Sequence, residues 1–157
     1  MPATPEQNEK IVELLIRAYN AEIETVMNYI ANSTNLDGVR AKHIKDSLLE
    51  DVQEELGHAQ QLAGRIKIIG GMIPSSQALT WTQDGLQVSG DTTDVISVIR
   101  GVIKAEEDAI AGYEAIIEAC EGVDYVTQDL AIELMGDEQE HRREFIGFLK
   151  EYEAERV

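Results

Sequence analysis

Apolar residues recur at spacings of three and four along four long stretches of this chain, the period of one helical face. The first runs from residue 5 to about Asn32, with Leu15, Ala18, Glu22, Val26 and Tyr29 on one stripe. The second covers about 39–69, with Leu48, Val52, Glu55, His58, Leu62, Ile66 and Ile69. The third covers about 93–120, with Ile99, Val102, Glu106, Ala109, Tyr113, Ile116 and Cys120. The fourth covers about 124–152, with Leu134, Glu138, His141, Phe145 and Phe148. Stop and start signals agree with these limits. Thr4-Pro5-Glu6 reads as cap, first turn and acid, Gly70-Gly71 before Pro74 ends the second helix, Thr93 or Asp94 caps the third, and Gly122 ends it. The polar run from 151 to 157 is expected to fray.

Residues 72–92 carry no period, and a loop that long is unusual inside a compact domain. A four-helix bundle gives it a purpose, as a crossover running the length of the bundle and joining two parallel helices. Trp81 is expected to pack it against the bundle. The fold predicted is all-α, one domain over 1–157, with two antiparallel helical hairpins joined by this crossover.

Polar residues interrupt the apolar stripes at matching places. Glu55-x-x-His58 returns as Glu138-x-x-His141, and a lone Glu sits on each preceding helix, at Glu22 and Glu106. A carboxylate on an apolar face needs a partner. Ala21, Glu22 and Tyr29 recur as Ala105, Glu106 and Tyr113, a shift of 84 residues. Glu50, Glu55, His58, Gly64 and Lys67 recur 83 residues later as Glu133, Glu138, His141, Gly147 and Lys150. This repeat selects Glu106 over its neighbour Glu107, because only Glu106 keeps the stripe and the spacing to Tyr113. Four Glu and two His from four helices describe a two-metal carboxylate site in a bundle core. Glu55 and Glu138 are placed to bridge, Glu22 and Glu106 to bind terminally, and each His to cap one metal.

Four carboxylates balance two divalent cations. Carboxylate with imidazole suits iron, manganese or zinc, and the lack of thiolates argues against structural zinc. Tyr29 and Tyr113, two turns beyond the lone Glu residues, are candidates to bond the ligand carboxylates or to supply an electron. Glu54 and Asp137 are candidates to accept the free N–H of the opposite imidazole. His43 has no acid at ligand spacing on its face and reads as structural.

Composition narrows the function further. The chain has 157 residues, a net charge of −17 and one cysteine. That charge argues against nucleic-acid binding, since phosphates would be repelled. No apolar run reaches bilayer length, and no basic, apolar leader opens the chain, so a cytoplasmic protein is expected. A lone Cys120 on the core face excludes an intrachain disulfide framework.

Asn28-Tyr29 after Glu22, Glu55-x-x-His58, Asp124-Tyr125-Val126 and Asp137-Glu138-x-x-His141 together resemble the bacterioferritins and the wider ferritin-like superfamily. The resemblance covers nearly the whole chain. It implies a ferroxidase centre of two iron ions within one subunit, oxidising Fe(II) with O2 or H2O2. The six ligands would be its catalytic residues. It also implies iron storage as a ferric mineral and a homo-oligomer, from a dimer up to a cage of twelve or twenty-four subunits. Two departures stand out. Leu56 occupies the place of the haem-ligating Met, so haem is not expected. Only sixteen residues follow His141, so the short fifth helix of bacterioferritins is not expected either. The alternative is a non-storing di-iron peroxidase or oxidase, similar to rubrerythrins. A third possibility is a metal-stabilised interaction module without catalysis.

Overall fold

A computed structural model describes residues 2–154 of the chain. Its four helices are α1 (Pro5–Asn35), α2 (Lys42–Ile68), α3 (Val95–Cys120) and α4 (Tyr125–Ala154). All four expected helices are present. The first runs three residues further than its periodicity suggested, and the second begins behind a 3-10 turn at Val39–Ala41. Of the tail expected to fray, the part up to Ala154 is helical, and 155–157 lie outside the described residues.

Local chemistry explains the ends. Thr4 accepts from Gln7 N while the Gln7 side chain accepts from Thr4 N, a reciprocal cap on α1. Asp94 accepts from Ser97 N at 3.1 Å to start α3. Asp124 does the same for Thr127 N at 3.0 Å at the start of α4. Gly70 and Gly122 follow α2 and α3 with φ of 92° and 70°, which a side chain would resist.

α1 pairs with α2 and α3 with α4, as two antiparallel hairpins. α1 also packs along α3, whereas α2 and α4 approach closely at few points. Asp37 N donates to Thr92 O at 2.8 Å, tying the end of α1 to the start of α3, so these two run antiparallel. Two apolar clusters fill the bundle. One is built on Ile44, Leu48, Ile99, Val102 and Phe145, the other on Ile11, Leu15, Leu62, Ile66 and Ile116.

The crossover lies along α1 and is held by polar residues four apart. Asn20 exchanges hydrogen bonds with Thr80 at 2.7 and 2.8 Å. The buried Glu24 carboxylate accepts from Thr82 N and Gln83 N at 2.8–3.0 Å. Asn28 donates to Gln83, and Asn32 donates to Leu86 O at 2.7 Å. Trp81 is not the anchor that the sequence suggested: it is 50% exposed, whereas Leu86 is 2% exposed. The backbone bonds on either side of Trp81 fix the strap without its ring.

Where the crossover meets α3, Gly85 faces Gly101. A Cβ on Gly101 would stand 2.2 Å from the Gly85 carbonyl oxygen, while one on Gly112 would meet nothing within 4 Å. Gly101→Ala is therefore expected to lose about 1–3 kcal/mol of stability by forcing the strap away. Gly112→Ala should be neutral or gain up to about 1 kcal/mol from helix propensity. Urea denaturation of both variants checks this, and equal midpoints would refute the close-approach role of Gly101.

Candidate metal centre

The six ligand candidates all point into one small volume between the two apolar clusters. Glu22, Glu55, Glu106 and Glu138 are each 1–2% exposed, His58 is 3% and His141 is 6%. Glu107, rejected on periodicity, is half-exposed and lies 3.6 Å from Arg142 at the surface. His43 is exposed, and Cys120 is buried with its thiol pushed up to about 11 by desolvation.

Two overlapping groups of donor atoms form, each within 4.8 Å: Glu22, Glu55, His58 and Glu138, and then Glu55, Glu106, Glu138 and His141. Glu55 and Glu138 belong to both. The halves are interlocked. His58 Nδ1 lies 2.8 Å from Glu138 Oε1, and His141 Nδ1 lies 3.0 Å from Glu55 Oε1. Tyr29 donates to Glu106 Oε1 at 2.5 Å, and Tyr113 donates to Glu22 Oε1 at 2.9 Å. On the far side of each ring, His58 Nε2 meets Asp137 Oδ2 at 3.0 Å and His141 Nε2 meets Glu54 Oε2 at 2.8 Å. All four residues expected behind the ligands are thus in contact with them, each across the hairpin boundary.

One neighbour escaped the sequence reading. Asp51 is 7% exposed, with Oδ1 3.4 Å from His141 Nε2. Its position four residues before Glu55 puts it on the same face, but its counterpart one repeat later is Leu134, so the repeat does not mark it.

Buried polar atoms normally have partners. Here Glu22 Oε2, Glu55 Oε1, Glu106 Oε2, Glu138 Oε1 and the Nδ1 atoms of both His are buried without an aligned hydrogen bond. They supply one unpartnered atom from each of the six candidates. The close His–Glu approaches lack hydrogen-bond alignment and are the spacing of donors around a common centre. Oxygen and imidazole nitrogen donors, converging and otherwise unsatisfied, fit first-row metal ions such as iron.

The electrostatics of the core follow from burial. Desolvation pushes the Glu55 and Glu106 carboxyls well above the usual carboxylate range, with neighbouring Glu22 and Glu138 adding to it. Burial disfavours charge on His58, but contacts to Glu138, Glu22 and Glu55 outweigh it and hold the ring protonated. The same balance, set by Glu106, Glu138 and Glu55, raises His141. Burial also opposes charge on Glu138, yet its close neighbours Glu106, His141 and His58 outweigh it and hold the carboxyl below the usual range. Asp51 is pushed up to about 7 by desolvation.

Comparison with known proteins agrees with this architecture. A family model for the ferritin-like domain matches residues 12–154. The chain is 30% identical over 142 residues to the DNA protection during starvation protein of Pyrococcus furiosus, covering 87% of this chain and 75% of that protein. It is 26% identical over 137 residues to the bacterioferritin of Desulfovibrio desulfuricans, covering 87% and 72%. Among solved structures, a dodecameric thioferritin, the bacterioferritin-related protein of Bacteroides fragilis, superposes with a TM-score of 0.85 at 21% identity over 95% of this chain and 89% of that one. A ferritin-like di-iron-carboxylate protein of Bacillus anthracis gives 0.82 at 20% identity, over 93% and 99%. At those identities the structures speak for the fold, while the family match spans nearly all of the chain. A four-helix bundle with a buried carboxylate and histidine core, matched along its length by the ferritin-like domain, makes this chain a member of the ferritin-like family.

Proposed function

We propose that this chain is a ferroxidase, which takes up Fe(II), oxidises it with O2 or H2O2 and sequesters the product. The observation that carries this reading is the set of six buried, unpartnered donor atoms, one on each of Glu22, Glu55, His58, Glu106, Glu138 and His141. Glu22 and His58 would hold one ion, Glu106 and His141 the other, and Glu55 and Glu138 would bridge. When bound, the pair of ions supplies the two electrons that a two-electron oxidant needs. Similarity to a DNA protection during starvation protein and to a bacterioferritin supports the class, and the dodecameric neighbour supports a homo-oligomer. Among the described residues no helix is long and apolar enough to cross a membrane.

The chain's own groups have three tasks. Tyr29 and Tyr113 donate to one oxygen of the Glu106 and Glu22 carboxylates respectively, leaving the other oxygen without a partner, where it would be free to hold an ion. Glu54 and Asp137 accept from Nε2 of His141 and His58, which fixes Nδ1 as the ligand nitrogen and raises its basicity. The core also stores protons. Without cations, protons on the imidazoles and on Glu55 and Glu106 offset the buried carboxylate charge. Incoming iron must displace them.

A second reading, a di-iron peroxidase or oxidase without storage, is favoured by the two phenol oxygens bonded directly to ligand carboxylates. These are positioned to pass an electron as well as to orient the ligand.

Three outcomes test these assignments. Anaerobic Fe(II) binding should release protons and tighten as pH rises from about 6 to 8, because the raised groups are protonated in the free chain and bare in the loaded one. Calorimetry in two buffers of different ionisation enthalpy measures this, and buffer-independent heats would contradict it. Glu55→Ala and His141→Ala should each reduce Fe(II) oxidation to the rate of iron in buffer while the helical circular dichroism persists. Unchanged oxidation in both would sink the ferroxidase assignment. Iron retained per chain after aerobic loading and desalting separates the two readings: storage gives tens or more, and a centre without a storage cavity gives about two.

A further inference from the structure

The internal repeat is broken at one buried position beside the centre. Glu54 and Asp137 are repeat equivalents, with side chains 43% and 41% exposed, and each backs one imidazole. The tyrosines and bridging carboxylates match in the same way. Among the described residues only His141 has a second acid within 4 Å of its outer nitrogen: Asp51 Oδ1 stands 3.4 Å from Nε2, whereas the second acid near His58 is the more distant, half-exposed Glu54. Asp51 Oδ2 is buried with no hydrogen-bond partner. The corresponding place in the other half is Leu134, 1% exposed and apolar. The surroundings of the two rings therefore differ by one buried carboxylate.

An acid against the outer nitrogen of a ligating imidazole raises the basicity of the inner one, and losing such a partner costs about 10- to 100-fold in metal affinity. Buried charge is also poorly screened. The geometry points to Asp51 as a positioning residue that makes the two metal positions unequal. The ion held by Glu55, Glu106, Glu138 and His141 binds first and more tightly than the ion held by Glu22, Glu55, His58 and Glu138. This inference rests on the two-metal reading of the centre. It means that a chain short of metal fills one defined position rather than a mixture.

Co(II) at one equivalent per chain tests this on the full-length protein. Anomalous diffraction at the cobalt edge reads each position separately and needs no turnover. The parent chain should show an occupancy ratio of about 10:1 or more in favour of the His141 position. Asp51→Asn keeps the shape and removes the charge, and Asp51→Leu installs the residue of the other half. Both should bring the ratio close to 1:1. A purely structural Asp51 would lower the stability of the variants without moving the ratio. Equal or reversed occupancy in the parent, or a preference that survives Asp51→Asn, overturns the proposal. At two equivalents both positions should fill in the parent. Cobalt at neither position would overturn the two-metal reading along with this one.

Discussion

The molecule is organised around the cost of holding four carboxylates and two imidazoles in a nearly dry space. Any one of these charges, alone at that depth, would be expelled or neutralised. Together they are tolerable because Glu22, Glu106, His58 and His141 each have one face satisfied by the protein, and all six have one face left for a cation or a proton. Tyrosine hydroxyls and outer acids take the first face. The second is the face on which a metal ion would bind. Apolar clusters on either side keep the helices in register, so the unsatisfied atoms remain aimed at a common centre. The donors are kept open to a cation by being denied any other partner.

The same constraint explains the strap. A bundle with a polar centre needs its hairpins locked in one relative position, since a shift of one turn would separate His58 from Glu138. The crossover supplies part of that lock through backbone groups bonded to the Asn20, Glu24, Asn28 and Asn32 row. Arg65 supplies another part, reaching from the end of α2 to Asp124 at 3.1 Å and Thr127 at 2.8 Å at the start of α4.

Helices and ligand candidates were legible because two independent periods coincide in this chain. The three-four spacing places residues on faces, and the repeat shows which polar residues on those faces recur. Glu106 against Glu107 was decided in that way, and the structure buries the first and exposes the second. What symmetry made visible, asymmetry hid. Asp51 was unread because its counterpart is leucine. The anchoring of the crossover was unread for another reason. Its partners are backbone N–H and C=O groups, which carry no sequence signal, and the row four residues apart on α1 looks like an ordinary solvated face. Trp81 was overvalued because size suggests burial, whereas the chain direction at that point is already fixed by bonds to Asn20 and Glu24.

The crossed pairings have a consequence for how such a centre could be built from simpler parts. His58 faces Glu138, His141 faces Glu55, Tyr29 serves Glu106 and Tyr113 serves Glu22. Neither hairpin contains a complete set of contacts, so one hairpin folded alone could not assemble the centre. Two identical hairpins, meeting about a twofold axis, could. Joining them through the strap turns an association that depends on concentration into an intramolecular one. It also frees the two copies to diverge, since an acid may then stand on one side of the axis and a leucine on the other.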